Sequence, residues 1–152
     1  MIKDRKMTLY KANSVITAVF YPIFAALICF LWASDAPGLW RTILTCGISF
    51  IVLSVFRKII NAPRPYETDP SVTPPTPHCK KGESFPSRHV FSAFLIVMEM
   101  GYHFPVLGVV LLFPACLLAW LRKELHYHHT RDVIWGAIFA VICGMIGFWL
   151  IP

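Results

Sequence analysis

Two long stretches of this chain carry no charge. Ala12 to Trp32 is 21 residues free of Asp, Glu, Lys and Arg, and Val133 to Pro152 is another 20. At about 1.5 Å per residue, a helix of either length crosses the roughly 30 Å hydrocarbon core of a bilayer. Three more apolar runs repeat the pattern: Leu39 to Phe56, a short one over 88–102, and 105–121. Arg41, near the start of the second run, can snorkel to the interface.

Composition agrees. Hydrophobic residues make up 57% of the 152 and charged residues 14%, against about 25% charged in a soluble domain. Mean hydropathy is +0.62. The expected fold is all-α, a polytopic membrane helical bundle forming one domain over residues 1–152. About five transmembrane helices are expected, at 12–32, 39–56, 88–102, 105–121 and 133–152. A signal peptide also opens on basic residues, but its apolar region is only about 7–15 residues long. The first run is therefore expected to stay as a span.

The net charge of +6 has no soluble basic face to serve nucleic acid. Anionic lipid headgroups or a phosphate-bearing substrate are the expected partners. Of five cysteines, Cys29, Cys46, Cys116 and Cys143 lie in apolar runs, and Cys79 sits beside His78 in a loop. That pattern supports neither a disulfide framework nor a zinc site.

Two turns, 34–38 and 101–105, are expected between consecutive spans. The polar loop 61–85 holds six prolines, a composition expected to exclude a helix. A loop of this length reads as a lid, a binding loop or a disordered segment. Pro86-Ser87-Arg88-His89 then opens the third span, where Ser suits an N-cap.

Spanning helices alternate in direction. The end of span two, the start of three, the end of four and the start of five therefore share one side. Those ends carry Arg57, Lys58 and Arg64; Ser87, Arg88 and His89; Arg122; and His128 with Asp132. Cations and helix N–H groups gathered at a bilayer surface make an anion site. His128 and Asp132 are i and i+4, so on a helix they share one face. A carboxylate so placed orients an imidazole and stabilises its charged form. Guanidinium groups steady phosphate oxygens, one histidine attacks phosphorus, and a second supplies the leaving group's proton.

Simpler readings stand beside this one. His128 and Asp132 could be a capping pair at a helix start. His126, His128 and His129 could ligate a metal, although HxHH lacks a familiar ligand spacing; His126 and His129 are expected to be interfacial bystanders. Lys80, Lys81 and Lys123 are expected to meet lipid headgroups, and Glu99, inside the third span, has no assigned role.

The residues resemble the type 2 phosphatidic acid phosphatases, a superfamily that includes the vanadium haloperoxidases. The family's first element is Lys, six residues, Arg-Pro; here Arg64-Pro65 fits, with Arg57 at the lysine position and Lys58 one step closer. The second is Pro-Ser-Gly-His, matched by 86–89 with Arg88 for Gly. The third is Ser-Arg, five residues, His, three residues, Asp; Arg122, His128 and Asp132 fit, and Leu121 replaces Ser. The resemblance implies a metal-independent lipid phosphatase without a cofactor, acting through a phosphohistidine. It implies His128 as nucleophile, Asp132 as its partner and His89 as general acid, then base. Arg57 or Lys58, Arg64, Ser87, Arg88 and Arg122 would bind phosphate. The family core has six helices, against five runs here.

Undecaprenyl diphosphate, phosphatidylglycerophosphate and phosphatidic acid all fit as substrates. A lipid phosphotransferase, or a non-catalytic protein binding or transporting anionic lipid, are the alternatives. Orientation divides the indications. Counting loops, 13 of 14 Lys and Arg lie on the side of the site, which the positive-inside rule assigns to the cytoplasm. The resemblance implies a cell-membrane site facing away from the cytoplasm. The site cations are set by chemistry, so the second orientation is the expectation.

Overall fold

The computed structural model describes residues 2–74 and 79–150. Pro75, Pro77 and His78 of the loop, and the last two residues of the fifth expected span, lie outside them. Helices account for most of the described chain: α1 (Ile2–Ser34), α2 (Ala36–Ile60), a single turn α3 (Pro65–Thr68), α4 (Arg88–His103), α5 (Pro105–Glu124) and α6 (Thr130–Gly144). A π-helical segment, Met145–Leu150, continues α6. α1, α2, α5 and α6 with its π-helical extension are long and apolar enough to cross a membrane.

The joints are tighter than their turn residues predict. Between α1 and α2 only Asp35 leaves the helix; its carboxylate caps the Gly38 N–H at 3.1 Å, and Pro37 occupies the first turn, where its missing N–H costs nothing. Between α4 and α5 only Phe104 intervenes, so the expected turn at 101–105 is helical up to His103. α2 stops at Asn61, which adopts the left-handed conformation (φ 43°) and returns its N–H to the Arg57 carbonyl.

The 61–85 loop also departs from expectation, since Pro65 to Thr68 forms a helical turn. Proline at the first helical position is compatible with that start, and the Glu67 carboxylate accepts the Arg64 N–H at 3.0 Å. Glu67 also accepts the Gly82 N–H at 2.7 Å, and Ser84 donates its N–H to the Ala62 carbonyl at 2.8 Å. The two ends of the loop are thereby fastened together.

α4 is the centre of the bundle. Its 16 residues span about 24 Å at the usual helical rise, short of a full crossing. The other helices enclose it: Val90, Phe91, Ala93, Leu95, Val97 and Met100 are all buried. Phe91 and Leu95 pack with Leu53, Ala140 and Phe148, while Ala93 and Val97 pack with Phe20, Ala115 and Leu118. A Cβ on Gly108 would lie 2.5 Å from the Gly101 Cα, so the α4–α5 pair needs glycine there. Enclosure also explains Glu99, which is wholly buried and accepts from the Cys46 thiol at 3.5 Å. Arg41, near the start of α2, donates to the Tyr102 hydroxyl at 2.8 Å and to the Phe148 carbonyl at 3.3 Å.

The outer surface is apolar. Trp32 is 78% exposed and Val106 and Phe113 are each 76% exposed. Side chains of this size left bare around a helical bundle are what a lipid-facing belt presents.

Candidate active site

The helix ends expected to share one side do meet. The Ser87 N–H, at the start of α4, donates to the Asp132 carbonyl in the first turn of α6 at 2.8 Å. Contact this close depends on Gly136, where a Cβ would stand 2.7 Å from the Ser87 carbonyl oxygen. The Arg64 guanidinium crosses from the loop to the Tyr127 carbonyl at 3.2 Å and the Gly82 carbonyl at 3.0 Å. Arg122, at the end of α5, reaches α1, donating to the Thr17 hydroxyl at 3.2 Å.

His128 and Asp132 do not share a helix face. His129 is the N-cap of α6, so His128 sits just outside the helix, in the bend that follows Arg122. Its own N–H points back to the Arg122 carbonyl at 3.3 Å. The imidazole is 3% exposed and Asp132 is fully buried, with Nδ1 and Oδ2 3.9 Å apart. Burial pulls His128 below the ordinary histidine value, to about 4, against the opposing effect of the nearby Asp132 carboxylate. The ring is therefore neutral at neutral pH, as a nucleophile must be.

The capping role of Asp132 is also realised, with His129 as the partner. Asp132 Oδ2 accepts the His129 N–H at 3.0 Å and lies 3.3 Å from its Nδ1. His129 is thus tied to the site rather than a bystander. His126 is exposed, at a left-handed bend (φ 56°).

Ser87 is the N-cap residue of α4, yet its hydroxyl makes no capping bond; it is buried with no partner. Arg122 Nε is likewise buried and unpartnered. Unsatisfied buried donors on converging elements are placed to engage an anion. Arg57 turns inward and donates to the carbonyls of Glu83, Ser84 and Pro86, whereas Lys58 is exposed. Arg88 is exposed, 5.6 Å over the Phe50 ring. His89, one residue on, is half-buried.

Arg88 and His89 stand in a cavity of about 720 Å³ between α1, α2 and α4. Phe20, Tyr21, Phe24, Phe50 and Ile96 make its walls apolar. Tyr21, Ile43 and Phe50 on its rim are exposed, so it opens sideways, toward the lipid-facing surface.

Sequence reasoning missed Ser84 and Thr17. Ser84 is buried, donates to Asp132 at 2.5 Å and approaches His128. Thr17 lies inside the first apolar run, and its hydroxyl accepts from Arg122 while bonding the Asn13 carbonyl at 2.7 Å. A serine among loop residues and a threonine in a span carry no spacing signal.

Fold and site together make a helical bundle of membrane type with cations and two histidines gathered at one end. The chain belongs to the PAP2 superfamily, whose family model matches residues 38–152. Its fold is similar to the crystal structure of LpxE from Aquifex aeolicus, with a TM-score of 0.75 at 22% sequence identity, covering 93% of this chain and 84% of that one. Comparison with curated proteins finds no match. Membership of this superfamily supports a phosphatase, a hydrolase of phosphoric esters.

Proposed function

We propose that the protein removes a phosphate from the headgroup of a membrane lipid, a monoester or a diphosphate, through a phosphohistidine at His128. The observation that carries this reading is a buried imidazole held beside a carboxylate, among unsatisfied cationic and hydroxyl donors. The apolar cavity ending at Arg88 and His89 supplies room for the lipid's tail.

Arg64, Arg122 and the Ser87 hydroxyl hold the phosphoryl oxygens and offset the charge that grows on them. Arg57 adds positive charge from beneath the loop, and Arg88 adds it at the cavity mouth. His128 Nε2 attacks phosphorus while the bond to the lipid oxygen breaks, and His89 gives that oxygen its proton. His89 then takes a proton from water, whose oxygen attacks the phosphohistidine. Phosphate leaves and His128 is restored. No step calls for a metal. The site faces away from the cytoplasm.

The test is phosphate release by detergent-solubilised protein from undecaprenyl diphosphate, phosphatidylglycerophosphate and phosphatidic acid, with chelator present, beside His128→Ala. Release that persists with chelator and disappears in the variant is the expected result. Release abolished by the chelator would overturn the metal-free mechanism. A folded protein releasing nothing would instead favour lipid binding without turnover.

A further inference from the structure

The carboxylate and the imidazole at the heart of this site do not touch. The 3.9 Å between Asp132 Oδ2 and His128 Nδ1 exceeds the length of an N–H···O hydrogen bond. The Ser84 hydroxyl sits between them, donating to Asp132 Oδ2 at 2.5 Å and lying 3.4 Å from His128 Nδ1. Ser84 and Asp132 are completely buried, so no bulk water competes for these contacts.

We infer that Ser84 is the positioning residue that couples Asp132 to His128, in place of a direct carboxylate–imidazole bond. A hydroxyl has one proton and two lone pairs. Its proton goes to the carboxylate, so it presents a lone pair to Nδ1. That arrangement keeps the ring proton on Nδ1 and leaves the Nε2 lone pair free. When Nε2 bonds to phosphorus, Nδ1 keeps its proton, and the charge arising on the ring is stabilised through the hydroxyl by Asp132. A bond of this kind is long in the free enzyme and tightens in the reacting complex.

The position of Ser84 is not incidental. Its N–H is bonded to the Ala62 carbonyl at 2.8 Å, and its carbonyl accepts from Arg57 at 3.3 Å. Arg57 holds the flanking Glu83 and Pro86 carbonyls as well. The serine is thus anchored on both sides to the end of α2. Asp132, for its part, is already occupied as a cap through His129. Its link to His128 runs through Ser84.

This inference rests on His128 being the nucleophile, and the experiment separates the two. Turnover of dioctanoyl phosphatidic acid in detergent micelles is measured for wild type, His128→Ala, Ser84→Ala, Ser84→Cys, Ser84→Thr, Asp132→Asn and the Ser84→Ala/Asp132→Asn pair, with thermal unfolding of each. Ser84→Ala is expected to lower kcat about 10–100-fold, with KM nearly unchanged. Ser84→Cys preserves volume but is only a weak donor and acceptor, so it falls with Ala; Ser84→Thr keeps the hydroxyl and recovers most of the rate. Adding Ser84→Ala to Asp132→Asn costs less than about 3-fold more, because one connection is cut twice. Wild-type turnover in Ser84→Cys, or fully additive losses in the pair, would overturn the coupling and leave Ser84 a packing residue. Wild-type turnover in His128→Ala would overturn the site reading, and the coupling with it.

Discussion

Ser87 and Gly136 meet backbone to backbone: a Cβ on Gly136 would lie 2.7 Å from the Ser87 carbonyl oxygen. This approach seats the start of α4 against α6 and allows the Ser87 N–H to reach the Asp132 carbonyl. It sets where the unpartnered Ser87 hydroxyl stands relative to His128. Gly136→Ala is expected to push the helices apart, at a cost of about 1–3 kcal/mol in stability. Phosphate release should fall by at least about 10-fold, since sub-ångström misplacement is expensive in catalysis. Unfolding curves and turnover on the same preparation check both.

Arg57 holds the carbonyls of Glu83, Ser84 and Pro86 with its guanidinium. An ammonium group lacks the planar fork that makes this possible. Arg57→Lys, although it restores the residue type at the family's usual position, should therefore destabilise the protein and lower kcat, with Arg57→Ala worse. Charge-assisted bonds to buried carbonyls imply a loss on the order of 2–4 kcal/mol for Ala. Lysine at or above wild-type activity would show that charge alone matters there.

The His128 imidazole titrates near 4 rather than its ordinary 6.5, chiefly through burial. The attacking form is neutral, so His128 should not limit activity until the pH falls toward about 4. A kcat/KM profile tests this, and a limb near the ordinary histidine value should trace to another group, still present when phosphohistidine formation is followed alone. The stability sign is set by the unfolded chain, which binds this proton first. The contribution is complete above about 6.5 and is lost as the pH falls toward 4 and below. Unfolding of His128→Gln should lack that part of the acid sensitivity.

Gly47 lines the apolar cavity, and a Cβ there would meet nothing within 4 Å. Gly47→Leu should fold normally yet occupy space meant for a lipid tail. KM for a long-chain lipid phosphate should rise roughly 10-fold, with little change for a short, water-soluble phosphate ester. Equal effects on both substrates would place the tail elsewhere.

Much of this protein is written in local order. Uncharged runs near 20 residues demand helices in a bilayer, and alternation of direction brings the basic helix ends together without further information. The spacing of Arg122, His128 and Asp132, with Ser87 and His89 ahead of them, marks the chemistry. Helix boundaries were less legible. Asp35 and Phe104 each serve as the sole break between two helices. Capping and proline at the helix start allow such joints, whereas residue type alone suggests a longer turn.

Residue order along the chain supplies the material: membrane-length helices, cations at one end, and two histidines with a carboxylate among them. Which atoms meet is a matter of packing. It turned Arg57 inward and Lys58 outward, enclosed the short α4 so that Glu99 could be buried, and set Ser84 between Asp132 and His128. The physical reason is that hydropathy and helical period act along the chain and survive in any packing. A 2.5 Å contact between residues 48 apart exists only once α2, the loop and α6 have been fixed against one another.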